Sequence, residues 1–298
     1  MAKLSMGTAL VEWKPTKHTE FLTSLYRKSM TETITFAGAD GLESRTRKLF
    51  FKQGGTGTGA VQWGSGRLLA HFLAREPQLQ PLHELGAPPS LDGASGGSVG
   101  VQDIVVPAGW RWTGQRVVEL GAGLGLAATV IAMCGADIVT TDGVDDLIDQ
   151  LQCNVDGNLG RTAEDSNAGD LEQRTPKASG DSRPAEALGV GTAVAMLLPW
   201  GDVERAAAVQ RRMLEFVGGS GASSAALATV LVVADCVFGS DRRVHKQLLQ
   251  TINTLGDSDQ SEGEGEDGGY GAGPLLLLTH KPRYPTERWF FKRLCRDW

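Results

Sequence analysis

Val117-Val118-Glu119-Leu120-Gly121-Ala122-Gly123-Leu124-Gly125 is the stretch on which the reading of the fold turns. A β-branched, apolar run of strand length leads into three glycines, and an apolar helical pattern follows through Cys134. Gly135 then stands where a left-handed residue closes a helix. Glycines between a strand and a helix let a ligand approach the backbone and leave the helix N-terminus facing it. The spacing narrows the ligand. A dinucleotide fingerprint needs its third glycine at position 126, which is Leu126. The glycines stand instead at 121, 123 and 125, with an acid, Glu119, ahead of them.

Downstream, strands and helices alternate. Strands are expected at 116–120, 138–141, 193–198, 230–234 and 275–279. Helices are expected at 124–134, 144–154, 203–216 and 242–255, with a last one starting over 286–293. Unbroken apolar strands between helices mean a parallel sheet covered on both faces, and right-handed crossovers make it doubly wound. Upstream, residues 32–36 and 48–53 read as an N-terminal β-hairpin around Asp40-Gly41. Helix 66–75 carries Leu68, Leu69, Phe72 and Leu73 at helical spacing and is stopped by Pro77 and Pro81, and a short helix is expected over 19–28. Low-complexity inserts fall at about 86–100, 157–189 and 256–274. The expected domains are 1–53, an extension with the hairpin, and 54–298, the α/β domain.

The E-x-G-x-G-x-G order of Glu119, Gly121, Gly123 and Gly125 is that of S-adenosylmethionine binders. This ligand has no pyrophosphate to cradle; it has a sulfonium, an amino-acid end and a ribose diol. Asp142 ends the second strand about 20 residues past the loop, where a carboxylate accepts from both ribose hydroxyls.

The net charge of −6 says little about the domain, because six acids, Asp257, Asp259, Glu262, Glu264, Glu266 and Asp267, lie in one run without Lys or Arg. No basic footprint of a nucleic-acid binder remains, so DNA and RNA substrates are disfavoured. No apolar run reaches membrane-spanning length. The four cysteines form no CxxC pair and read as free, mostly buried thiols, which suits a reducing compartment: the cytoplasm, with the nucleus also open. No metal-ligating motif and no G-x-S-x-G nucleophile elbow is present. His245, on a helix with Arg242, Arg243 and Lys246, reads as a solvated surface group. A monomer is the favoured state.

These segments together resemble the seven-β-strand protein-lysine methyltransferases of methyltransferase family 16, over about residues 48–293. Thr58-Gly59-Ala60-Val61-Gln62-Trp63 followed by Leu68-Leu69 is similar to the family's "TGxxxW…L". Leu151-Gln152-Cys153-Asn154-Val155 with Asn158 is similar to "LxxNV…N", Leu198-Pro199-Trp200-Gly201 to "LxWG", and Asp235-Cys236-Val237-Phe238 to "DxxY". His280-Lys281-Pro282-Arg283 with Phe290-Phe291 is similar to "YKxR…FF".

The resemblance implies a Rossmann-like methyltransferase with S-adenosylmethionine as cofactor and a lysine side chain of a protein as acceptor. It implies Trp63 and Trp200 lining the cofactor pocket and Glu119, Gly121 and Gly123 around the methionine part. It implies Asp235 at the mouth where cofactor and lysine meet, with Phe238 shaping the acceptor channel. Two departures stand out. Phe238 lacks the hydroxyl of the family's tyrosine, and His280 replaces another aromatic hydroxyl. The family fold also carries two more strands after the last helix, and the sequence reaches Trp298 where they would begin. A shortened chain is one expectation; a strand from the N-terminus covering the exposed edge of the fifth strand is the other. Acceptors other than lysine (histidine, an N-terminal amine, a small molecule) and a non-catalytic binding module are the alternatives.

Overall fold

The computed structural model describes residues 8–9, 29–37, 44–53, 62–75, 111–160, 190–216, 229–256 and 274–297. The short helix expected over 19–28, residues 58–61 of the first family segment and nearly all of the three inserts lie outside them.

The elements are β1 (Thr8–Ala9), β2 (Ser29–Phe36), β3 (Arg45–Lys52), α1 (Gly64–Arg75), β4 (Arg116–Leu120), α2 (Leu126–Met133), β5 (Asp137–Asp142) and α3 (Asp145–Leu159). They continue with β6 (Ala193–Leu197), α4 (Val203–Glu215), β7 (Val230–Ala234), α5 (Arg242–Gly256), β8 (Leu275–Thr279) and α6 (Glu287–Asp297). The large sheet has the order β1-β8-β7-β4-β5-β6, and every pair in it is parallel. The doubly wound α/β sheet expected from the sequence is therefore present.

Alternation along the strands divides the core in two. Val117, Ile138, Val230, Val232 and Leu277 face α1, α2 and α3. Val118, Val139, Leu231, Val233, Leu276 and Leu278 face α4, α5 and α6. Because both faces are covered, the strands read as mostly apolar, and the polar residues they bury, Glu119, Thr140, Thr141 and Asp142, gather toward the carboxyl ends of β4 and β5.

At the outer edge, β1 pairs with β8 in the register Thr8↔Leu276 and Ala9↔Leu277. An N-terminal segment thus bonds the backbone of the fifth strand of the β–α series, as the second expectation for that edge had it.

The hairpin is a separate two-stranded antiparallel sheet, with Ser29 opposite Lys52 and Phe36 opposite Arg45. β2 runs longer than expected at its outer end, and β3 at the end nearest the turn. It adds a third layer, inserting Ile34, Leu49 and Phe51 into the core beside α1 and α2. Two asparagines of α3 hold it. Asn158 accepts from the Phe50 N–H at 2.8 Å and donates to the Phe50 carbonyl at 2.7 Å. Asn154 does the same at Lys52, at 2.8 and 3.1 Å. The "LxxNV…N" segment is thus a helix face cut to fit a strand edge: i, i+4 on the helix meets i, i+2 on the strand. This docking also explains a correction. The helix expected to stop at Asn154 continues to Leu159, carrying Val155 into the core and Asn158 onto β3.

Two further expectations fail. His245 is fully buried, with its Nε2 3.3 Å from the Phe238 carbonyl and its ring against Phe290. It shares the inward face of α5 with Leu248, Leu249 and Ile252, while its charged neighbours stay outside. Among the cysteines, all free, only Cys236 is buried; Cys153 and Cys295 are exposed and Cys134 is intermediate.

Candidate active site

Strand order reverses between β4 and β7, and the crevice above the carboxyl ends at such a reversal is where open α/β sheets take their ligands. Glu119 lies near the end of β4, with Gly121 and Gly123 just beyond it, and Asp142 closes β5. Trp200 follows β6, and Asp235 and Phe238 follow β7. Trp63 immediately precedes α1, whose first turn is pinned to β8 by the Thr279 hydroxyl donating to the Ser65 carbonyl at 3.3 Å.

The loop is built around left-handed glycines: φ is +65° at Gly121, +57° at Gly123 and +82° at Gly125. Gly121 is also hemmed in, since a Cβ there would stand 2.6 Å from the Cys236 sulfur and 3.4 Å from the Trp200 ring. Asp142 ties the loop down. Its Oδ2 accepts the Gly123 N–H at 3.0 Å and its Oδ1 accepts the Val144 N–H at 3.1 Å. Both oxygens keep a second acceptor direction for a hydroxyl.

Glu119 is buried and accepts from the Thr140 hydroxyl at 2.9 Å. Burial pushes its carboxyl up to about 7 despite that bond, and the charge of Asp142 adds to the rise. An acid held so far from its ordinary range suits a cationic partner, such as the ammonium at the amino-acid end of S-adenosylmethionine. Burial also pushes the Cys236 thiol well above its usual range, and after burial the carboxylates of Asp142, Glu119 and Asp235 raise it further. The ends of β4, β5 and β7 therefore bring three acids around one buried sulfur.

Asp235 is the one non-glycine residue with positive φ among those described, at +60°. Its N–H donates to the Thr279 carbonyl at 2.8 Å, the last ladder bond between β7 and β8. Its carboxylate is held by both arms of Arg283, Nη1 to Oδ1 at 2.7 Å and Nη2 to Oδ2 at 2.5 Å. The same guanidinium lies 5.4 Å from the Trp63 ring centroid, which brings Trp63 into the site. Phe238 is 39% exposed and meets Trp200 edge-on, with ring centroids 6.3 Å apart, so its free face is open to an incoming group.

The candidate residues thus gather at the carboxyl ends of the strands, in two groups that meet around Gly121, Cys236 and Asp235. Glu287, which the sequence reading passed over, braces the rim. Its Oε2 accepts the N–H groups of Arg283 and Tyr284 at 2.8 and 3.1 Å and pairs with the Nε2 of His280 at 3.1 Å. Burial holds His280 below its ordinary value. Its place in the sequence, an acid in the first turn of α6, was the available signal.

A doubly wound sheet with this acid-led glycine loop, and a strand-end aspartate bound to it, is the architecture of a Rossmann-like methyltransferase. Residues 45–177 match the family model described as lysine methyltransferase. The match spans β3 to α3 and so includes Trp63, Glu119, the glycines and Asp142; Trp200, Asp235 and Phe238 lie beyond it. No curated protein matches the chain. Among the described residues, no helix is long and apolar enough to cross a membrane.

Proposed function

We propose that this chain transfers a methyl group from S-adenosylmethionine to the side-chain amine of a lysine in a protein. The observation that carries the reading is the crevice itself: the glycine loop and Asp142 on one side, and Trp63, Trp200, Asp235 and exposed Phe238 on the other. When bound, the cofactor supplies an electrophilic methyl carbon, whose bond to sulfur breaks with the electron pair staying on sulfur as the bond to nitrogen forms.

The residues then have separable tasks. Asp142 holds the ribose diol, Glu119 with Gly121 and Gly123 the amino-acid end, and Trp63 and Trp200 close the pocket. Phe238 offers an aromatic face to the alkylammonium. Asp235 orients the amine through acceptor directions that Arg283 leaves open. Lysine must first lose a proton to water, which costs roughly 4–5 kcal/mol at neutral pH, and an apolar channel lowers that cost. A protein acceptor, a monomeric state, and a location in the cytoplasm or nucleus belong to this same reading.

Phe238, without a hydroxyl, favours a second reading, a methyltransferase-like module that binds the cofactor but transfers nothing. Cell lysate incubated with radiolabelled S-adenosylmethionine separates the two. A labelled protein band with wild type that disappears with Asp142→Ala and with Asp235→Ala, its label mapped to lysine, supports the enzyme. No band, with cofactor binding still measurable, supports the module.

A further inference from the structure

Both oxygens of Asp235 belong to one guanidinium, and both ends of that pair are built into the fold. The Asp235 side chain is 1% exposed and that of Arg283 24%. Arg283 cannot swing freely, since its N–H and that of Tyr284 are fixed by buried Glu287 and its guanidinium is seated over Trp63. A two-pronged pair of this kind is rigid and electrically neutral. Its neutrality matters here because Glu119 and Asp142 already converge on the neighbouring Cys236.

We propose that Arg283 is the charge-setting, positioning residue of the methyl-transfer site: it cancels the charge of Asp235 while holding that residue at the crevice mouth. The physical need is specific. The cofactor enters with a positive sulfonium and leaves as a neutral thioether. An unpaired carboxylate in the crevice binds the charged form preferentially and so stabilises the state before transfer more than the state after it. On the reading of the acceptor as an amine, the same carboxylate would also keep that amine protonated and unreactive. Pairing with Arg283 removes both penalties without removing the acceptor atoms of Asp235.

The test compares two probes that differ by this one charge. Affinities of S-adenosylmethionine and S-adenosylhomocysteine are measured calorimetrically for the full chain as wild type, Arg283→Gln, Arg283→Lys, Asp235→Asn and Arg283→Gln/Asp235→Asn. The affinity ratio of charged to neutral ligand rises roughly three- to thirty-fold in Arg283→Gln, as expected for one uncompensated charge in a partly screened crevice. It falls in Asp235→Asn, returns to the wild-type ratio in the double variant and stays near it in Arg283→Lys. If the variants weaken both ligands in parallel and the ratio stays fixed, Arg283 is a structural brace only and the proposal is overturned. A wild type that binds neither ligand overturns the cofactor reading and this proposal with it. Shifted ratios without any labelled protein would support the proposal while removing the lysine acceptor.

Discussion

Asp142 reaches across from β5 to accept the Gly123 backbone N–H at 3.0 Å, while its other oxygen accepts the N–H of Val144 at the start of α3. One carboxylate therefore shapes the ligand loop and steadies the turn that leads from β5 into α3. Asp142→Ala is expected to weaken S-adenosylmethionine binding at least roughly ten-fold and to lower stability by about 1–3 kcal/mol, the usual consequence of leaving backbone donors unpaired. Asp142→Asn, which keeps one acceptor oxygen, falls between. Calorimetric titration and denaturant melts check the two effects separately; cofactor affinity surviving in the alanine variant would remove Asp142 from the binding site.

Glu119 makes stability depend on pH in a defined window. In the folded chain its carboxyl is pushed up to about 7, from an ordinary 4.5. Between those values the unfolded chain has released the proton and the folded chain has kept it. Stability therefore falls as pH rises through the window and levels off above it. The full effect is of order 3 kcal/mol. Glu119→Gln, which still accepts from Thr140, is expected to gain stability over wild type at pH 8 and to show no such gain at pH 4. Thermal melts from pH 4 to 8 read this directly, and a difference independent of pH would refute it.

Gly121 is expected to be intolerant for two separable reasons, its φ of +65° and its contact with Cys236. Gly121→Ala should cost about 1–3 kcal/mol through backbone strain alone, with more from the crowded sulfur. Cys236→Ala removes that sulfur, while its own Cβ already sits 3.9 Å from the new methyl, an ordinary contact. The double variant should therefore recover the steric part and keep the conformational part. A double-mutant cycle from melts measures the coupling, and strict additivity would contradict the account.

The local patterns told most about the sheet. Val230–Ala234 and Leu275–Thr279 fall where apolar runs place them, because burial on both faces leaves no alternation to misread, and Arg116–Leu120 falls where the approach to the glycine loop places it. The glycine loop and Asp142 were legible for a related reason, since φ above zero and a strand-end acid each leave a residue-type signature. What escaped was tertiary. The end of α3 was hidden by Gly157, because the contacts that extend it come from β3, about a hundred residues away. His245 was misjudged from its charged neighbours, although its spacing to Leu248, Leu249 and Ile252 already placed it on the inner face. The Asp235–Arg283 pair joins two loops whose motifs each read as separate, and Glu287 braces the Arg283 end of that pair.

The asparagines of α3 give the last test, because they separate holding the hairpin from binding the cofactor. Asn154 and Asn158 are almost fully buried, and each satisfies both backbone groups of one β3 residue. Replacing either with alanine leaves an N–H and a carbonyl of the strand unpaired in a closed interface, at about 1–3 kcal/mol per position. The Asn154 amide also donates to the Leu124 carbonyl at 3.2 Å, inside the glycine-loop segment, whereas Asn158 donates instead to the Asn154 carbonyl. Asn158→Ala is therefore expected to speed hydrogen exchange at the Phe50 amide while cofactor affinity holds. Asn154→Ala should speed exchange at Lys52 and weaken cofactor binding as well. Equal effects of the two variants on affinity would show that the hairpin's docking as a whole, and not the contact to Leu124, transmits the change to the loop.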